Sequence, residues 1–174
     1  MRSIIIPIAR ILLLAVAAFA QSTENAGFAG TWLLDASKSK GLPPYYANIE
    51  NHRLDIKQTK TALNVDVDLT FKNGNEPFRI TLNYPLDGAT TRTTMPIRTP
   101  QGPKDVPATL SGAHSDDGTL ILNIVNELEM NGKPFKGLTT ETWQLADEGK
   151  SLIIHLSREA PQGKMEYDLL FVRQ

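Results

Sequence analysis

The chain has no cysteine among its 174 residues. This excludes disulfides, thiol catalysis, cysteine-ligated zinc, iron–sulfur clusters and a lipid-modified cysteine anchor. Neither sign of charge is in excess. Lys+Arg 18 against Asp+Glu 19 leaves a formal charge of -1, no electrostatic footprint for nucleic acid or an anionic membrane. Histidine is scarce. His52, His114 and His155 are well separated along the chain, so no metal site is expected and they read as solvated or singly hydrogen-bonded groups. Gly-x-Ser-x-Gly, the Walker loop, His-Glu-x-x-His and the dinucleotide fingerprint are all missing. So are internal repeats, low-complexity tracts and any sustained amphipathic helix. With hydrophobic residues at 41% and charged residues at 21%, the composition is that of one ordinary globular domain, not a disordered chain or a multi-span membrane protein.

The long apolar run is N-terminal. Arg2 and Arg10 flank Ile4-Ile5-Ile6-Pro7-Ile8, and Ile11 to Ala20 follows without a polar residue. The run is shorter than the roughly twenty residues a membrane-spanning helix needs. It fits a signal-peptide core, with Ala18-Phe19-Ala20 as the small-x-small cleavage site before Gln21. The expected organisation is a signal peptide over 1–20, a short polar tail over 21–27 and one domain over 28–174. Export to the periplasm or the cell exterior follows, with no stable membrane insertion after cleavage.

From Phe28 onward the hydrophobic period is two. Leu63, Val65, Val67, Leu69 and Phe71 alternate with Asn64, Asp66, Asp68, Thr70 and Lys72, the pattern of a half-buried strand. Phe78, Ile80, Leu82 and Tyr84 repeat it, as do Leu152, Ile154 and Leu156, and Met165, Tyr167, Leu169 and Phe171. Turn dipeptides separate the runs: Asn73-Gly74, Asp87-Gly88, Asp117-Gly118 and Asn131-Gly132, where type I′ turns are favoured. The spacing predicts about ten strands, near 28–35, 49–59, 62–72, 76–84, 89–97, 106–114, 118–130, 134–146, 151–159 and 164–173. Ser37 to Ala47 reads as a loop with one helical turn, and the proline-rich Thr99 to Pro107 as a loop or irregular edge. The fold class is all-β: an antiparallel up-and-down meander of about eight to ten strands, which closure into a barrel frees of wet apolar faces and open edges.

Phe28-Ala29-Gly30-Thr31-Trp32-Leu33-Leu34 resembles the Phe-x-Gly-Thr-Trp-x-Leu opening of the calycin barrels: the lipocalins, the fatty-acid-binding proteins and their secreted bacterial relatives. Asp35 to Ser39 and the C-terminal hairpin around Glu141-Thr142-Trp143 extend the resemblance to secreted bacterial lipocalin-like proteins. It implies that Trp32 plugs one end of the barrel, with Gly30 allowing close approach and an arginine of the last strand, here Arg173, covering the ring. Two features depart from the fatty-acid-binding proteins. About fifteen residues separate the first two strands, too few for two packed helices. The Arg-x-Tyr pattern that would hold a carboxylate is replaced by Met165-Glu166-Tyr167.

The remaining motifs have plain readings. Asn64, Asp66 and Asp68 begin like a calcium loop but lack its later glycine and glutamate, so they mark the outer face of a strand. Ser37-Lys38-Ser39-Lys40 matches Ser-x-x-Lys without the helix that chemistry needs. Glu127 and Glu129 share a strand face, with Glu141 across the hairpin, and read as solvated carboxylates. The candidate cavity wall comprises Leu54, Ile56, Val65, Val67, Leu69, Phe78 and Ile80; the polar groups Asn126, Glu141 and Arg158 share inward phases and either join that wall or lie near strand ends, in water. Gln58 shares the phase of Leu54 and Ile56. The expectation is a monomeric, non-enzymatic barrel without metal or cofactor that binds a small, partly apolar molecule. The alternative is an interaction module of the cell envelope, its barrel filled by side chains and Tyr45-Tyr46 forming an exposed patch.

Overall fold

The computed structural model describes residues 27–99, 102–130, 132–160 and 163–174. The expected leader and cleavage site lie outside these residues. Ten strands follow in chain order: β1 Gly30–Leu34, β2 Ile49–Gln58, β3 Ala62–Phe71, β4 Phe78–Pro85, β5 Thr91–Thr99, β6 Gly102–His114, β7 Leu120–Met130, β8 Lys133–Ala146, β9 Ser151–Ala160 and β10 Gly163–Arg173. They form one sheet in the order β4-β3-β2-β1-β10-β9-β8-β7-β6-β5. Each strand is antiparallel to its neighbours, and β1 pairs with β10, placing Trp32 opposite Arg173. The sheet curls into the expected up-and-down barrel, with β4 and β5 as the two strands that do not pair with each other.

Close packing draws that seam together. A Cβ on Gly112 of β6 would stand 2.7 Å from Leu86 Cδ2, 2.8 Å from Leu122 Cδ2 and 3.2 Å from the Pro85 carbonyl. Only glycine lets the end of β4 lie against β6 there. The Leu86 amide is bonded to the Thr61 carbonyl at 2.9 Å, which holds the end of β4 beside the β2–β3 turn.

Two sequence expectations need correction. Thr99 to Pro107 is mostly strand: Pro96 pairs with Asp105, Arg98 with Pro103 and Thr94 with Pro107. Proline is tolerated because β5 is an edge strand and β6 pairs with β7 only from Ala108 onward, so the prolines sit where a ladder donor is dispensable. Three of the turns are also not type I′. Asn73, Asp87 and Asp117 keep negative φ and only the glycine after each is left-handed. Each side-chain oxygen instead accepts the amide two residues on, at 3.3, 3.1 and 3.0 Å. Side-chain bonding to the local backbone outcompetes the two-residue hairpin.

An up-and-down meander places alternate connections at opposite ends of the barrel. The β2–β3, β4–β5, β6–β7 and β8–β9 connections share one end with the two Trp32–Arg173 strand termini. Exposure along the inward faces tracks this polarity. Leu63 is 0% exposed and Val65 2%, while Val67 and Leu69 further along β3 are half-buried. On β4, Tyr84 is 1% and Leu82 6%, whereas Ile80 and Phe78 are half-buried. Along β3 and β4 the barrel is therefore closed at one end and more open toward the other.

The first connection partly covers the open end. It runs back along β10, with Lys40 and Asp168 exchanging both backbone hydrogen bonds at 2.9 Å. A 3-10 helix, Pro44–Asn48, then crosses the mouth and buries Tyr46. This is the helical turn expected in Ser37 to Ala47.

Candidate binding cavity

At the closed end, Trp32 is 0% exposed and donates its Nε1–H to the Phe28 carbonyl at 2.9 Å. The Arg173 guanidinium carbon stands 4.2 Å from the Trp32 ring centroid. That guanidinium also donates to the carbonyls of Gly149, at 2.8 Å, of Gly27, at 3.0 Å, and of Ala29. A Cβ on Gly30, whose φ is +134°, would stand 2.8 Å from the guanidinium, so glycine there serves both the backbone and the arginine. Gln58 faces inward near this end, where its Oε1 accepts the Phe28 amide at 2.7 Å.

Above the plug, Phe28 meets Trp143 edge-on with ring centroids 6.0 Å apart. Trp143 is also part of the wall of a partly enclosed cavity of about 180 Å³. Of the residues expected to line such a space, Leu54, Val65, Val67, Leu69, Phe78, Ile80 and Glu141 do so. Three do not. Ile56 is buried opposite Gly30, beneath the cavity. Asn126 is 7% exposed but set apart from the cavity, its Oδ1 without a partner among the described residues. Arg158 is exposed on β9 near the β9–β10 hairpin, in water. Period-two phase assigns a face, but position along the barrel axis decides whether that face meets packing, cavity or solvent.

The polar part of the wall was mostly missed. His52 is 8% exposed and its Nδ1 has no partner among the described residues. It packs edge-on against Phe171 at 5.0 Å, and burial pushes its pKa down to about 4, so the ring is neutral. This corrects the expectation of a solvated or singly bonded histidine. That expectation fits His155, which shares 2.7 Å with Asp168 on the outer face. The signal for His52 was present, since it shares the phase of Leu54 and Ile56. Tyr84 is 1% exposed with its hydroxyl unpartnered among the described residues, and burial, then the nearby Glu141 charge, holds that hydroxyl protonated.

Glu141 lies inward, opposite Leu122, whereas Glu127 and Glu129 are exposed, so the three carboxylates do not share a face. Its Oε2 accepts the Trp143 Nε1–H at 2.9 Å. Burial raises its pKa, and the Trp143 bond offsets part of the rise. At the mouth, the Tyr45 and Tyr167 hydroxyls are 3.1 Å apart and Tyr46 meets Tyr167 edge-on at 5.7 Å. Tyr45 is 51% exposed but Tyr46 only 8%, so the pair is not the exposed patch that the sequence suggested. One ring is in the wall and the other covers it. On the outside, Asp68 pairs with Arg79 at 3.0 Å and Asp66 accepts from Thr81, as strand-face residues do.

No protein-family model and no curated protein sequence matches the chain. Among solved structures, it is similar to the zebrafish ileal bile acid-binding protein complexed with cholic acid, with a TM-score of 0.44 and 11% identity over 84% of this chain and 98% of that one. It is similar to lobster apocrustacyanin A1, with a TM-score of 0.41 and 13% identity over 87% of this chain. The figures for apocrustacyanin C2 are 0.41 and 12% over 89% of this chain. The chain spans 63% and 64% of those two apocrustacyanins. The fold assignment here stands on strand order and register.

Proposed function

We propose that the protein binds a small, largely apolar molecule inside its barrel, as a monomer and without catalysis. The observation that carries this reading is the partly enclosed cavity of about 180 Å³, walled mainly by aliphatic and aromatic side chains. A dry apolar cavity of about 150 Å³ holds benzene, so this one suits a single ring or a short acyl chain. The cavity favours this reading over a barrel filled throughout by its own side chains. Among the described residues the wall carries one acid, Glu141, against the pair that glycoside hydrolysis uses. The apolar run ending at Ala18-Phe19-Ala20 supports export, with a mature N-terminus near Gln21.

The test is titration with an environment-sensitive apolar dye. Wild type should bind about one per chain with micromolar affinity, since the wall has no strong charged anchor for an anion. Val67 is half-buried in the wall between Leu54 and Ile80. Val67→Trp should abolish dye binding while leaving the unfolding midpoint near that of wild type. No binding by wild type, or a Val67→Trp variant that binds normally, would sink the reading.

A further inference from the structure

We propose that the preferred ligands of this cavity carry a protonated amine on a single-ring or similarly small apolar skeleton, with the ammonium held by Glu141. The inference rests on the binding reading above and narrows its ligand class.

Among the described residues Glu141 is the wall's one carboxyl group, and neither lysine nor arginine contributes. Its Oε2 has a single donor, Trp143 Nε1, and no cation pairs with it among the described residues. A half-buried carboxylate with one hydrogen bond is poorly compensated, and an ammonium brought by the ligand would pair with it. A carboxylate ligand would set a second carboxyl group beside the first, and a neutral alcohol would bring no charge to pair with it. The surrounding groups favour the same occupant. Tyr84 and neutral His52 also line the cavity, each holds a buried polar atom without a partner among the described residues, and each has a lone pair that a small side-chain rotation would offer to an N–H donor. The rings of Tyr46, Trp143 and Phe171 supply aromatic faces and edges around the space, and a cation gains from the faces. The Tyr84 hydroxyl and the neutral His52 ring can also donate to an anion, so the carboxyl group of Glu141 is what sets the preference for a cation. The cavity's volume of about 180 Å³ limits the skeleton to roughly one ring with a short chain.

Benzylamine, benzyl alcohol and benzoate differ little in size and have +1, 0 and −1 charge at neutral pH. Their affinities for the full chain, by calorimetry or displacement of the dye, should rank amine, alcohol, benzoate, with the amine at least about tenfold ahead of the alcohol. Glu141→Gln keeps an acceptor for Trp143. It should erase the amine's advantage and leave benzyl alcohol within about threefold of its wild-type affinity. The wild-type ranking decides even if the variant folds poorly. Benzyl alcohol or benzoate binding as tightly as benzylamine, or an amine preference retained in Glu141→Gln, would overturn the inference and leave the binding reading intact. So would dye binding with none of the three probes bound. Failure of dye and probes alike would overturn both.

Discussion

The contact between Trp32 and Arg173 joins the first strand to the last, and a double-mutant cycle measures its strength. Trp32 is fully buried, so Trp32→Ala removes a large core ring at a cost of about 3–5 kcal/mol. It also strips the Phe28 carbonyl of its Nε1 donor, adding about 1 kcal/mol. Arg173→Ala loses the cation–π contact, worth about 0.5–2 kcal/mol, and three donors to backbone carbonyls. Two of those bonds lie at exposed positions, so solvent discounts them and a total of about 1–3 kcal/mol is expected. The guanidinium stands 4.2 Å from the ring centroid. The two losses should therefore fall short of additivity by about 1 kcal/mol. Urea unfolding followed by far-ultraviolet circular dichroism serves all four proteins, because it does not depend on the tryptophan removed. A coupling below about 0.3 kcal/mol, or a Trp32→Ala midpoint equal to that of wild type, would refute the reasoning.

Neutral His52 makes the fold acid-sensitive. Its folded pKa, pushed down to about 4 by burial, lies below the ordinary value, so the unfolded chain takes up a proton first as the pH falls. Its stabilisation is complete above about pH 6.5 and shrinks toward pH 4 by on the order of 3 kcal/mol. Urea unfolding from pH 4 to 8 should show that slope flattened in His52→Leu, and parallel profiles for the two proteins would count against it. Gly112→Ala should destabilise by about 1–3 kcal/mol, because its Cβ would meet Leu86, Leu122 and the Pro85 carbonyl at 2.7–3.2 Å. A thermal midpoint unchanged by that methyl would mean that β4 does not lie tightly against β6.

Local chemistry wrote most of the fold into the sequence. Alternation such as Leu63-x-Val65-x-Val67-x-Leu69 identifies a strand and its inward face without knowledge of any neighbour. Short connections make sequential strands pair, so the meander follows from the spacing. Local pattern was insufficient where a residue's behaviour depended on a partner distant in sequence. Pro103 and Pro107 looked like loop residues, and they are strand residues because β7 does not reach them. Ile56, Val67 and Arg158 shared an inward phase, yet they are packed, cavity-lining and solvated respectively. Their positions along the barrel axis separate them, and strand stagger sets that coordinate. Tyr46 carries no periodic signal and reaches the wall because its loop is bonded back along β10. That no cation pairs with Glu141 among the described residues is likewise tertiary. The sequence places it beside Trp143, but whether a cation opposes it depends on which residues the barrel's other walls bring within a few ångströms, where the energy of a buried charge is determined.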